Sequence, residues 1–319
     1  MLSLTFLGTG AACPTPERNV SSLVLSREGE TLVFDCGEGT QRQMMRYGTS
    51  FGFREIFFTH FHSDHMLGLT GLLRTMGLLN VVGQADREEG ISLYGPRGAK
   101  QILGAALSIG VERTKFPVAI YELKDGDVLK RKEYDLCAFA TDHRTDSLGY
   151  SLVEHDRKGR FDPDHARAMG IPEGPLWGRI HKGEAITLED GRRIESRELV
   201  GPPRPGRTVV ISGDTRPVAA LREAARGADL LVHEATFTHE DAARARETGH
   251  STAREAAQLA HDAKVHRLVL THISPRYSRE APELLDEARA IFPETVVARD
   301  GLEIDVPFRG EQGAGSREQ

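Results

Sequence analysis

The sequence predicts an α/β protein, and three observations carry that prediction. Short strand-like runs alternate with helix-like stretches, glycines mark the joints, and no long repeat or low-complexity block interrupts the order. With 319 residues and 39% hydrophobic content the chain can bury a substantial core. Strands are expected near 2–7, 22–26 and 31–35, where leucine, valine and phenylalanine cluster. A helix near 39–47 follows a glycine-rich joint, and the run Glu55-Ile56-Phe57-Phe58-Thr59 gives a buried strand at 55–59. Met66, Leu67, Leu69, Leu72 and Leu73 then recur at helical spacing. Further strands are expected near 91–94, 117–122, 134–141 and 147–153. Strand–helix units begin near 208, 229 and 267, and a final strand lies around 295–299. The polar, glycine-rich stretch Gly310 to Gln319 reads as a frayed tail.

Composition narrows the function classes. No run approaches eighteen apolar residues, so no membrane span is expected, and the N-terminus lacks the basic start and cleavage site of a secretory signal. The expected location is the cytoplasm. Cys13, Cys36 and Cys137 are widely spaced and odd in number, which reads as free thiols. A net charge of −6 argues against a uniformly basic nucleic-acid coat, although a local patch or arm stays open. Residues 155–205 break the α/β pattern with closely spaced prolines and glycines around Trp177 and several arginines. Two readings stand there: a solvated surface insertion, or a projecting arm with an aromatic-basic tip. Acidic residues are nearly as frequent, so charge does not decide.

The chemistry is concentrated at strand ends. His60-Phe61-His62-Ser63-Asp64-His65 follows the 55–59 strand, and imidazole with carboxylate suits divalent zinc or manganese. Four such side chains in six positions exceed the need of one open site, which points to two ions. The missing partners follow other apolar runs: His143 after 136–141, Asp214 after 208–211 and His272 after 268–270. His60, His62 and His143 then form one set and Asp64, His65 and His272 the other, with Asp214 bridging. Ions about 3.5–4 Å apart clamp both oxygens of a displacement at phosphorus. His250, at the start of an expected helix, is placed to donate a proton to the leaving group, and Glu234 to orient it. Asp35, ending the 31–35 strand, is placed to orient a ligand histidine.

These motifs resemble the metallo-β-lactamase superfamily, with its His-x-His-x-Asp-His loop, and within it the ribonuclease Z family. Phe6-Leu7-Gly8-Thr9-Gly10, Phe34-Asp35-Cys36-Gly37-Glu38-Gly39-Thr40-Gln41, Ser212-Gly213-Asp214-Thr215-Arg216, His233-Glu234-Ala235-Thr236-Phe237, His250-Ser251-Thr252 and Thr271-His272-Ile273-Ser274 carry the likeness in order over nearly the whole chain. The resemblance implies a four-layer αβ/βα sandwich formed by a single domain over 1–319, with 155–205 inserted as a flexible, protruding substrate-binding arm; Gly174-Pro175 matches the family's arm motif. It further implies two Zn2+ per subunit, precursor tRNA as substrate, removal of the 3′ trailer, and the homodimer of the short form. It assigns Asp64 a second role as proton acceptor, yet a metal-bound aspartate is a weak base and is better suited to positioning. One departure is a proline within Pro14-Thr15-Pro16-Glu17-Arg18-Asn19 where many relatives have lysine.

Other readings are a lactonase, thioesterase or lactamase on the same fold, a phosphodiesterase for small substrates, and an RNA-binding module with structural metals. A bridging aspartate beside Glu234 and His250 suits phosphodiesters better than the first group. Structural zinc sites usually rely on cysteine, and no cysteine here has ligand spacing.

Overall fold

The computed structural model describes residues 1–79, 90–111, 114–277 and 280–310, so most of the expected tail lies outside the described residues. The chain divides into two compact units, Met1–Val153 with Arg207–Gln319, and Glu154–Gly206.

The first unit opens with β1 (Leu2–Gly8), β2 (Ser22–Arg27), β3 (Glu30–Phe34), α1 (Thr40–Tyr47), β4 (Glu55–Phe57), α2 (Ser63–Met66) and α3 (Leu69–Leu78). It continues through β5 (Ile91–Gly95), α4 (Ala99–Leu107), β6 (Val118–Glu122), β7 (Val128–Lys130), β8 (Tyr134–Ala140) and β9 (Leu148–Glu154). The second unit holds α5 (Pro163–Ala168), α6 (Pro175–His181), β10 (Ile186–Thr187), β11 (Arg193–Ile194) and α7 (Ser196–Leu199). The first unit then resumes with β12 (Thr208–Ile211), α8 (Ala219–Ala224), β13 (Leu230–Glu234), α9 (Ala242–Thr248), α10 (Ala253–Ala263), β14 (Leu268–Thr271), α11 (Pro282–Arg289), β15 (Thr295–Val297) and β16 (Glu303–Asp305).

Two seven-stranded sheets run β16-β1-β2-β3-β4-β5-β6 and β15-β14-β13-β12-β9-β8-β7. Alternation along the strands splits their side chains between two faces. Leu4, Phe6, Leu25, Phe34 and Phe57 of one sheet meet Leu136, Tyr150, Leu152, Val209 and Val232 of the other in a buried layer. The opposite faces pack on helices: Val24, Val33 and Ile56 on α1, α3 and α4, and Val210, Leu231 and Leu270 on α8, α10 and α11. The result is the expected four-layer αβ/βα sandwich. β3 through β6 are parallel, as are β12 through β15, so the loops after their C-terminal ends gather at one rim.

Several local expectations need correction. The helix read from Met66 onward is two, α2 ending at Met66 and α3 starting at Leu69, and Gly68 between them has no room for a side chain, since a Cβ there would lie 2.0 Å from the Gly37 carbonyl oxygen. That contact seats the loop after β3 against the turn containing His65. The 55–59 strand stops at Phe57, since the Thr59 amide turns to donate to Asp35. The final strand is β16, which pairs antiparallel with β1, and not the run at 295–299; β16 and β7 span three residues each, too few to show a period. Within the second unit Trp177 is no exposed tip. It packs with Phe161 on a small core of Ala166, Ile171, Ile180, Ile186, Ile194 and Leu199.

Candidate metal centre

All the residues singled out for chemistry lie in the first unit, and hydrogen bonds across its two sheets draw the rim together. Leu148 donates its amide to Thr59 O, Tyr150 Oη donates to Phe58 O, and Ile273 donates to Thr9 O. Arg216 N donates to Asp142 O and Asp142 N to Thr215 Oγ1, which sets the loop of His143 beside that of Asp214. Seven side chains converge there. His60, His62, His143 and Asp214 form one cluster, and Asp64, His65 and His272 form another. His62 Nδ1 lies 3.0 Å from His60 Nε2 and 3.2 Å from His143 Nε2. His272 Nε2 lies 3.4 Å from His65 Nε2 and 3.3 Å from Asp64 Oδ2. Asp214 Oδ2 sits between the clusters, 3.6 Å from His60, 3.9 Å from His143, 3.4 Å from His65 and 3.3 Å from His272.

The donor set fits a cation on its own chemistry. His65 Nδ1 faces Asp35 Oδ2 at 2.8 Å and His143 Nδ1 faces the Gly249 carbonyl at 2.8 Å. Both partners are acceptors, so each Nδ1 carries a proton and each Nε2 offers a lone pair to the centre. Lone pairs pointed at carboxylate oxygens require a proton or a metal ion between them. Burial opposes a charge on His65, yet Asp214 and Asp35 hold its pKa well above the imidazole value. Burial likewise works against ionised Asp214, but His272, His65 and His60 keep its carboxyl well below the usual range. His60 goes the other way, its pKa pushed well down by burial and by the neighbouring His65. A buried centre whose Asp214 carboxylate stays ionised demands positive charge. The imidazole and carboxylate donors suit a divalent metal.

Two sites pay for this arrangement in backbone strain. Asp35 and His272 adopt φ of 56° and 57°, a left-handed conformation that costs a non-glycine residue roughly 1–2 kcal/mol. Gly249 meets the same demand without strain at φ 78°, and a Cβ there would crowd His143 Nδ1 at 3.1 Å.

Beside the clusters, His250 Nδ1 lies 2.9 Å from Glu234 Oε1. Burial lowers the pKa of His250, but the Glu234 carboxylate and its hydrogen bond raise it to about 9. The other Glu234 contacts are Thr215 N, Thr236 N and Thr236 Oγ1, so the carboxylate is fully occupied while buried. His250 lies within ligand reach of Asp214 and His272, but its Nδ1 is committed to Glu234. Asp35 binds Thr59 N, Thr59 Oγ1 and His65, the orienting position expected of it. Sequence reasoning did not find Thr59, Thr236, the Gly249 carbonyl, or the Ala12 amide that donates to Asp64 Oδ2 at 2.8 Å. It also missed Arg216, which pairs with Glu255 and donates to His250 O. Thr59 and Thr236 stand beside recognisable motifs, which is the one signal that could have drawn attention to them.

Several known proteins are similar to this chain in sequence and fold. The family described as "Anti-Pycsar protein Apyc1" matches residues 2–164, and that described as "Beta-lactamase superfamily domain" matches residues 199–273. A Ribonuclease Z of Gemmatimonas aurantiaca is 59% identical over 312 residues, covering 97% of this chain and 98% of its own. The crystal structure of human tRNase Z, short form, superposes with TM-score 0.68 at 29% identity, covering 96% of this chain and 100% of that one. The metallo-beta-lactamase fold protein YhfI from Bacillus subtilis, at TM-score 0.67 and 17% identity over 95% and 98% of the two chains, shares the fold. A match at 59% identity over 97% of this chain and 98% of the relative, on this sandwich, means that the chain belongs to the ribonuclease Z family of the metallo-β-lactamase fold.

Proposed function

We infer that the protein is a metal-dependent endoribonuclease that hydrolyses a phosphodiester at the 3′ side of precursor tRNA, releasing the 3′ trailer and leaving a 3′-hydroxyl. The observation that carries this reading is the full-length likeness to a ribonuclease Z in a chain whose strand ends build a centre demanding positive charge. His60, His62, His143 and Asp214 are assigned to one zinc ion, and Asp64, His65, His272 and Asp214 to the second; manganese suits the same donors. Such ions supply an acidified water and neutralise phosphate charge. Asp64, held by Ala12 N, positions rather than accepts a proton, because its pKa lies below the ordinary carboxylate range: burial raises it, but His272 and His65 bring it down further. His250 holds the proton for the departing 3′ oxygen. Glu234 keeps that imidazole oriented and charged.

Residues 155–205 are proposed as the inserted arm that grips the tRNA, in a cytoplasmic homodimer, which the motif resemblance implies. Among the described residues no helix is long and apolar enough to cross a membrane. Arginines of this segment are ion-paired at its surface, Arg167 with Asp164 and Glu173, Arg179 with Glu184, and Arg192 with Asp190. Exposed pairs of this kind contribute little stability, so phosphate can displace the carboxylates.

Two measurements on one pair of proteins test this reading. Incubated with precursor tRNA, the full chain should yield a new 3′ end at the trailer junction, mapped by sequencing. Replacing 160–195 with a short glycine-serine linker should spare hydrolysis of a small phosphodiester while weakening precursor tRNA binding by about tenfold or more. The salt slope of affinity should fall by roughly 0.7–0.9 per lost phosphate contact. Cleavage of the small ester with no cut in precursor tRNA by the full chain would favour the small-substrate hydrolase. Equal loss of both activities in the linker variant would make the segment structural.

A further inference from the structure

Two ligand histidines make their outward hydrogen bond to a threonine, and a hydroxyl, unlike a carbonyl, can either donate or accept. His60 Nδ1 lies 3.0 Å from Thr59 Oγ1, and His272 Nδ1 lies 2.9 Å from Thr236 Oγ1. The direction of each bond follows from where the single hydroxyl proton goes. Thr59 Oγ1 lies 2.8 Å from Asp35 Oδ2, and Thr236 Oγ1 lies 2.8 Å from Glu234 Oε2. Those carboxylate oxygens only accept, so each hydroxyl donates to its carboxylate and has only lone pairs left for the imidazole. All six side chains are at most 6% exposed, so an unmade bond here would leave a buried polar group unsatisfied.

We infer that Thr59 and Thr236 are paired positioning residues, each relaying the polarity of a buried carboxylate to one ligand histidine so that Nδ1 carries the proton and Nε2 faces the metal centre. The two relays are built alike. Each threonine also donates its backbone amide to the same carboxylate, Thr59 N to Asp35 at 2.7 Å and Thr236 N to Glu234 at 3.2 Å, which fixes the hydroxyl relative to its acceptor. β-Branching restricts χ1 and holds it there.

The relays also give each carboxylate two duties. Asp35 orients His65 directly and His60 through Thr59, so one side chain serves a histidine of each proposed ion set. Glu234 orients the proton donor His250 directly and the ligand His272 through Thr236. The second relay additionally secures a histidine whose backbone is strained, since His272 stands at φ 57°.

The inference rests on the two-ion reading, and its test separates the two. Nitrogen-15 histidine spectra of the wild-type protein, recorded zinc-loaded and zinc-stripped, should show the Nδ1–H form for His60 and His272 in both. Thr59→Val and Thr236→Val keep the side-chain shape and remove the hydroxyl. Each should release its histidine into a mixture of tautomers and weaken zinc retention against a competing chelator by about 10- to 100-fold, the usual cost of losing an outer-shell partner. Thr59→Ser and Thr236→Ser should restore retention to within a few-fold of wild type. An Nε2–H form at either histidine of the stripped wild-type protein overturns the relay even if a valine variant fails to fold. Valine variants that keep Nδ1–H and wild-type retention of two ions overturn the relay and leave the centre standing. A wild type that binds fewer than two ions sinks the underlying reading instead.

Discussion

Asp214→Ala should lose both ions and cut precursor tRNA more than about 10³-fold more slowly, beyond the 10²- to 10³-fold typical of removing one electrostatic stabiliser. Its Oδ2 is the atom nearest to being shared, within 3.3–3.9 Å of His60, His65, His143 and His272. Without it each set drops to three protein ligands and the imidazoles face one another with less counter-charge. A metal that binds only the folded state stabilises it by mass action, about 2.7 kcal/mol at a hundredfold excess over Kd. The wild-type melting temperature should therefore fall when chelator is added, and that of Asp214→Ala should barely move. Retention of one ion at wild-type affinity by the variant would show that Asp214 belongs to a single set.

His250→Ala tests the neighbouring proton. It should keep two ions and cleave roughly 10²- to 10⁴-fold more slowly, the range expected for loss of a general acid. The structure sharpens this test, because His250 stands within ligand reach of Asp214 and His272. Its Nδ1 is held by Glu234 at 2.9 Å, and that commitment is why metal content is expected to survive. His250→Asn retains a donor toward Glu234 but no titratable proton, and should be as slow as the alanine variant. Loss of an ion from either variant would make His250 a ligand; normal rates would remove it from the reaction.

The convergence of these seven side chains was legible because the signal is local in one place and repeated in others. His60 to His65 occupy one rim loop, and His143, Asp214 and His272 each follow a strand-like run that reads as β from composition alone. The layers were legible for the same reason, since most of the strands are long enough to show apolar character. Three-residue β7 and β16 are not, and the need for a glycine at 68 comes from the Gly37 backbone thirty-one positions away. The segment 155–205 was read as a break in the α/β pattern, and Ile171, Ile180, Ile186 and Ile194 are spaced too irregularly to reveal the small core they share. The threonine relays were invisible for a deeper reason. A hydroxyl's role is set by where its one proton goes, and for Thr236 that takes both the neighbouring Glu234 and His272 from the next strand of the sheet.

A shared Asp214 implies that catalysis needs two ions per chain. Metal-stripped protein titrated with zinc, with ions counted per chain and precursor tRNA cleavage followed in the same samples, measures this directly. Cleavage should rise until two equivalents are bound per chain and then stay level. Full cleavage at one equivalent, with no further gain at the second, would contradict a bridging Asp214 and the division of the seven side chains into two sets.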